Sequence, residues 1–186
     1  VTLTCFLPLI SISDQLKQLW PRWTDAFFGT NFNALIVPYY VFAVEDGDYD
    51  YLINRSISLI IEDGVQEIRF KAFDDYSFIG NLDLPDSITL VGNSGFKNCD
   101  GFEGDLIIPP QINSIHQSSF ENCSGFDGQL DLGNNIESIE ARSFANCNSF
   151  TGSLSIPDSV SGLSAEAFIN CSSFNDEISI SENITY

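Results

Sequence analysis

Basic residues are scarce in this chain: seven Lys and Arg stand against 26 Asp and Glu, a formal charge of −19. A surface so charged repels phosphate backbones and anionic lipid headgroups. Neither nucleic acid nor a bare membrane surface is therefore an expected partner. Long apolar runs are missing too. The longest, ALIVPYYVFAV at 34–44, contains Pro38 and falls well short of the roughly 18 residues a spanning helix needs, so no membrane span is expected. Histidine is limited to His116, which sits at a variable position and reads as a solvated side chain. With no second base and no nucleophile elbow, the many serines carry no catalytic meaning. No catalytic residue and no cofactor is expected. Methionine is absent even from the first position, where the chain opens VTLTCFLPLISIS. Residues 1–12 read either as the remnant of a secretory signal without its basic leader or as the opening strand of a cap.

What the chain does have is a repeat. FIGNLDLPDSITLVGNSGFKNCDG (78–101), FEGDLIIPPQINSIHQSSFENCSG (102–125), FDGQLDLGNNIESIEARSFANCNS (126–149) and FTGSLSIPDSVSGLSAEAFINCSS (150–173) align at a period of 24. FNDEISISENITY (174–186) starts a further unit, and LIIEDGVQEIRFKAF (59–73) matches 82–96 when shifted by 23, one residue being missing before Phe78. Periods of this size mark a solenoid in which each unit is one coil.

The recurring letters have physical roles. Leu82 and Leu84, Leu106 and Ile108, Leu130 and Leu132, Leu154 and Ile156, and Ile178 and Ile180 alternate with mostly polar neighbours, the mark of half-buried strands. Five such strands are expected to pair in parallel into one continuous sheet. Pro85, Pro109 and Pro157 follow them and, lacking an N–H, turn the chain. A second short extended piece follows, for example Ile136–Ile139. HQSSF, EARSF and SAEAF then read as short helical turns closing on Asn-Cys. The Asn column Asn98, Asn122, Asn146 and Asn170 suits a left-handed residue at the end of each turn. Two Phe columns, one running from Phe73 to Phe168 and the other from Phe78 to Phe174, form the bulk of the core.

Other motifs weaken on inspection. Cys99, Cys123, Cys147 and Cys171 recur every 24 residues and so lie along a line, whereas zinc needs ligands converging on a point; they read as buried free thiols, and no metal site is expected. EDGDYDY (45–51) spaces Asp46, Asp48 and Asp50 like a calcium loop, but Tyr51 stands where such a loop needs Gly and Ile57 where it needs Glu. Asn54, Asn122, Asn170 and Asn183 begin glycosylation sequons, two of them already explained by the turn column. Upstream, SDQLKQLWPRWTDAFFG (13–29) places Leu16, Leu19, Trp20, Trp23 and Phe27 on one helical face, as a lid over an open solenoid end would. Residues 1–57 are thus expected to form an N-terminal cap segment, and 58–186 the repeats, the last one truncated.

The pattern F-x-G-x-L-x-I-P-x-S-V-x-x-I-x-x-x-A-F-x-x-C-S, nearly intact in 150–172, resembles the BspA-like, Treponema-type leucine-rich repeats of surface proteins in bacteria and in trichomonad-like protozoa. Gly133 and Ser181 depart from it at the Pro, and Val91 and Leu163 at an Ile. The resemblance implies a leucine-rich repeat solenoid of right-handed coils, with a parallel β-sheet on one face, short strands and helical turns on the others, and a small α/β N-terminal cap. It also implies a cell-surface or secreted, non-enzymatic protein that binds a protein ligand such as a host or extracellular-matrix protein.

The side chains free to vary on a solenoid's sheet face are its natural binding surface. Here they are Asn81, Asp83, Asp105, Ile107, Gln129, Asp131, Ser153, Ser155, Glu177 and Ser179. Two alternatives stay open: an intracellular leucine-rich repeat scaffold, and the recognition segment of a larger protein with a domain beyond Tyr186.

Overall fold

The computed structural model describes residues 34–39 and 41–184. The signal or cap reading of 1–12 and the helical reading of 13–29 lie outside them. The described residues form a parallel β-solenoid of about six turns, built from strands mostly two residues long.

One line of strands carries the predicted sheet face. Ala34–Val37 pairs in parallel with Ser58–Ile61, Leu106–Ile107 with Leu130–Asp131, and Leu154–Ser155 with Ile178–Ser179, each at an offset of 24. The first pair makes residues 34–57 a coil of their own, with Leu35 set beside Leu59 and Val37 beside Ile61, all buried. The expected continuous five-stranded sheet is instead a series of two-stranded ladders. Beneath the interruptions the side chains go on stacking, Phe102 on Phe126 and Phe126 on Phe150. The expected strand at Leu82–Leu84 is also displaced. Gly80–Asn81 pairs with Phe102–Glu103 at an offset of 22, two residues short of the period. Leu82 still packs in the core.

The second line of strands comprises Ala43–Val44, Glu67–Ile68 and Leu90–Val91, then Ser114–Ile115, Ser138–Ile139 and Gly162–Leu163. Between Leu90–Val91 and Ser114–Ile115 the ladder is interrupted.

The third side is not helical. Along 118–123, the N–H groups of Ser118, Phe120 and Asn122 donate to Ala141, Ser143 and Ala145 of the next coil. Those of Ser119, Glu121 and Cys123 donate to His116, Ser118 and Phe120 of their own turn. A helix would keep all these donors within the segment; here alternate donors join adjacent coils, and the chain must turn over to present them. That reversal requires positive φ at two positions per coil. One is the Asn column, with φ of 61–63°. The other holds Lys71, Ser94, Ser118, Arg142 and Glu166, with φ of 56–62°.

The core is the set of ladders between these three sides. Phe120 and Phe144 stack with centroids 5.5 Å apart and planes 2° from parallel, and Phe126 and Phe150 stack at 5.4 Å and 5°. Tyr49 continues the first column beneath Phe73, 6.1 Å away. Each fully buried ring contributes about 1.5–3 kcal/mol.

Candidate functional site

The alternation of the short strands sends one residue of each pair inward and the next outward. Leu106, Leu130 and Leu154 are buried, while Ile107, Asp131 and Ser155 beside them are exposed. All ten residues expected on the sheet face are exposed. Some are also used locally: Asp105 Oδ1 accepts the backbone N–H of Gln129 (2.6 Å), Asp131 Oδ1 accepts that of Gly133 (2.8 Å), and Ser179 Oγ donates to Ser155 Oγ (3.1 Å). Asn81 does not sit beside Asp105 as the period implied. The shifted strand sets it beside Glu103.

Ile107, 60% exposed, has apolar companions on this face that the repeat alignment missed. Ile36 and Ile60 are partners in register and 53% and 47% exposed, and Ile79 is 45% exposed. ALIV and SLII are apolar on both faces, so the alternation that betrays an outward residue elsewhere is hidden in them. The 24-residue offset from Ile36 to Ile60 was the signal available.

Charge is divided between the sides. On the turn side and the corner leading into it, Arg69 pairs with Glu45 and Glu67, Lys71 with Asp74, Lys97 with Glu121, and Arg142 with Glu121 and Glu166. Glu121 is buried there, held by Arg142 Nη2 at 2.5 Å and Lys97 Nζ at 3.1 Å. Burial works against its charge, but hydrogen bonds from Arg142, Ser118 and Lys97 outweigh that and hold its carboxyl below the usual range. Arg55, the fifth cation among the described residues, precedes the strand Ser58–Ile61.

The thiols and amides form two inner columns. Cys99, Cys123, Cys147 and Cys171 donate through Sγ to the carbonyl oxygens of Phe73, Phe96, Phe120 and Phe144, each at 3.0 Å. Burial pushes all four thiols up, Cys171 to about 11 and the others further. Asn122, Asn146 and Asn170 each donate Nδ2 to the Oδ1 of the asparagine one coil back, at 2.6–2.7 Å. Asn98 donates to Asp75 at 2.6 Å, a carboxylate that only accepts and so ends the chain of bonds. The sequons at Asn122 and Asn170 are therefore occupied by this ladder. Asn183 donates to the carbonyl of Asp158 (2.9 Å), and Asn54 is exposed in a turn.

An open groove of about 450 Å³ lies where the second line of strands is interrupted, bordered by Asp46, Arg69, Phe70, Asn93 and His116. His116 is not simply solvated: its Nδ1 lies 3.1 Å from Glu140 Oε1. The acids of 45–51 act within their own turn and coil stack, Asp48 accepting the Glu45 N–H and Asp50 accepting Tyr76 Oη. Among the described residues no three His, Cys, Asp or Glu converge as a metal site, and no helix is long and apolar enough to cross a membrane.

A stack of parallel coils with repeating Leu, Phe, Asn and Cys columns beneath a variable exposed face defines a leucine-rich repeat solenoid. The family model described as BspA type Leucine rich repeat region matches residues 22–126 and 47–175 in six copies, and the chain belongs to that family. Among solved structures, a leucine rich cell surface protein from Faecalibacterium prausnitzii is similar over 81% of this chain and 33% of its own, at 24% identity and a TM-score of 0.58. A leucine-rich repeat protein from Bacteroides ovatus is similar over 81% of this chain and 52% of its own, at 18% identity and a TM-score of 0.50. The chain thus spans about a third and a half of the two proteins. No curated protein matches it.

Proposed function

We propose that this protein is a recognition module of a cell-surface or secreted protein, binding a protein ligand such as a host or extracellular-matrix component through its sheet face. The observation that carries the reading is the contrast between repeating inward columns and an exposed outward face whose first column, Asn81, Asp105, Gln129, Ser153 and Glu177, changes residue in every coil and whose second mixes Asp, Ile and Ser. In a solenoid, positions released from packing are free to be shaped by a partner. The surface location rests on membership of the BspA type family and on likeness to a bacterial cell surface protein. Residues 1–57 are proposed as an N-terminal segment that caps the stack, its part 34–57 being a coil in register with the next, and 58–186 as the repeats proper. The same membership is the ground for proposing a binding role without catalysis.

The test is a cell-surface or matrix binding assay with the isolated protein and a variant carrying Asp83→Ala, Ile107→Ala and Asp131→Ala together. All three side chains are exposed, so the fold is expected to survive and adhesion to be lost. Unchanged adhesion would remove the sheet face from consideration.

A further inference from the structure

From the isoleucines and the segregation of charge we infer that the partner of the sheet face is a cationic polypeptide segment with apolar side chains interspersed. The inference rests on the sheet-face reading above. Ile36 and Ile60 stand side by side in a parallel pair, with Ile107 further along the same face, each about half exposed. No charged side chain among the described residues makes an ion pair with Asp83, Glu103, Asp105 or Asp131. Four of the five Lys and Arg among the described residues, Arg69, Lys71, Lys97 and Arg142, are paired on the turn side and its corner, and the fifth, Arg55, lies three residues before the strand Ser58–Ile61.

An apolar stripe beside uncompensated carboxylates has a definite complement. Apolar contacts supply affinity when desolvated, whereas charge complementarity steers encounter and rejects wrong partners. An acidic partner would meet like charge at Asp83, Glu103, Asp105 and Asp131, and a purely apolar one would bury these carboxylates without a counter-charge. A basic segment with apolar residues between its cations satisfies both parts.

Three dye-labelled synthetic peptides distinguish the outcomes by fluorescence anisotropy: alternating Lys and Val, alternating Lys and Ser, and alternating Glu and Val. The Lys-Val peptide is expected to bind, the Lys-Ser peptide about tenfold more weakly, and the Glu-Val peptide not measurably. Ile60→Ser with Ile107→Ser should bring the Lys-Val affinity down to that of Lys-Ser. Asp83→Asn, Asp105→Asn and Asp131→Asn together should weaken both Lys peptides and flatten their salt dependence. Equal binding of the Lys-Val and Glu-Val peptides, still sensitive to the face substitutions, would overturn the cationic partner and leave the sheet face standing. Binding of the Lys peptides unaffected by either set of substitutions would overturn both, since attraction would then lie elsewhere on the acidic surface. Binding by none of the three overturns the inference, and the adhesion assay then decides the sheet face separately. Thermal denaturation of each variant confirms that exposed substitutions leave the fold intact.

Discussion

Cys123 Sγ donates a hydrogen bond to the carbonyl oxygen of Phe96, one coil back, at 3.0 Å. The same bond recurs from Cys99, Cys147 and Cys171, so the cysteine column is more than a row of small apolar fillers. Each thiol is a second donor to a carbonyl that already accepts a backbone N–H of its own turn, as Phe96 O does from Cys99 and Phe120 O from Cys123, and it fills that oxygen's remaining lone pair. Cysteine combines that donor with the apolar bulk the column needs.

Reactivity follows from this arrangement. Thiolate is the reacting form, and burial holds these thiols protonated, with Cys171 the least perturbed at about 11 and only partly buried. Alkylation of the native protein near pH 8, mapped by mass spectrometry, should label Cys171 first of these four, and slowly. Cys99, Cys123 and Cys147 should label only after denaturation. Cys123→Ala should destabilise by about 1–2 kcal/mol, mostly from the small cavity, since Phe96 O keeps its bond from the Cys99 N–H. Rapid native labelling of Cys123 would contradict the buried ladder.

The asparagine column separates backbone strain from side-chain bonding. Asn122 holds φ 63°, donates to Asn98 Oδ1 and accepts from Asn146 Nδ2. Asn122→Gly relieves the left-handed conformation but breaks both bonds, Asn122→Ala keeps the strain and breaks both, and Asn122→Asp still accepts but places a charge against Asn98 Oδ1. Stability in urea should therefore fall least for Gly, with Ala lower by about 1 kcal/mol and Asp at least as low as Ala. A Gly variant less stable than Ala would mean that the backbone there is not under the proposed constraint.

The coil stack was legible because a core ladder demands the same letter at every level, and the Phe, Leu, Asn and Cys columns supply it. The outward direction of Ile107 was legible for the same reason, being the odd residue beside buried Leu106 and Ile108. Ile36 and Ile60 escaped because their strands are apolar on both faces. The turn side was misread as helical because HQSSF and EARSF satisfy local helical preference. What decides against a helix is the Ser118, Phe120 and Asn122 N–H groups finding acceptors in the neighbouring coil, and single-segment propensity contains no information about a neighbour. Left-handed Ser118 and Arg142 were equally hidden, since Asn and Gly announce that conformation and these residues do not.

Phe120 tests how local the stack's cooperativity is. Its ring is fully buried between Phe96 and Phe144, at centroid distances of 5.7 and 5.5 Å. Phe120→Ala should cost roughly 3–5 kcal/mol. Because each coil contacts mainly its neighbours, hydrogen exchange should rise most in the coils containing Phe96, Phe120 and Phe144 and less toward the strand Ala34–Val37. A uniform rise across the described residues would indicate a single cooperative unit instead.

Acid sensitivity should be traceable to Glu121. Its carboxyl is buried against Arg142 and Lys97 and titrates below the usual 4.5. A depressed folded value means that the charged form is favoured in the folded state, so the contribution is complete above about pH 4.5 and disappears as pH falls through the lower folded value. Glu121→Gln should therefore lower stability by about 1–3 kcal/mol at neutral pH, and the gap to the wild type should narrow as pH falls below the ordinary carboxylate value of 4.5. Asp74 shifts the other way, raised by burial and by Asp75, but it is common to both proteins and cancels in the difference. Thermal denaturation followed by circular dichroism across this range measures that gap. A gap unchanged down to pH 2 would show that Glu121 acts through packing and neutral hydrogen bonds, with its charge contributing nothing.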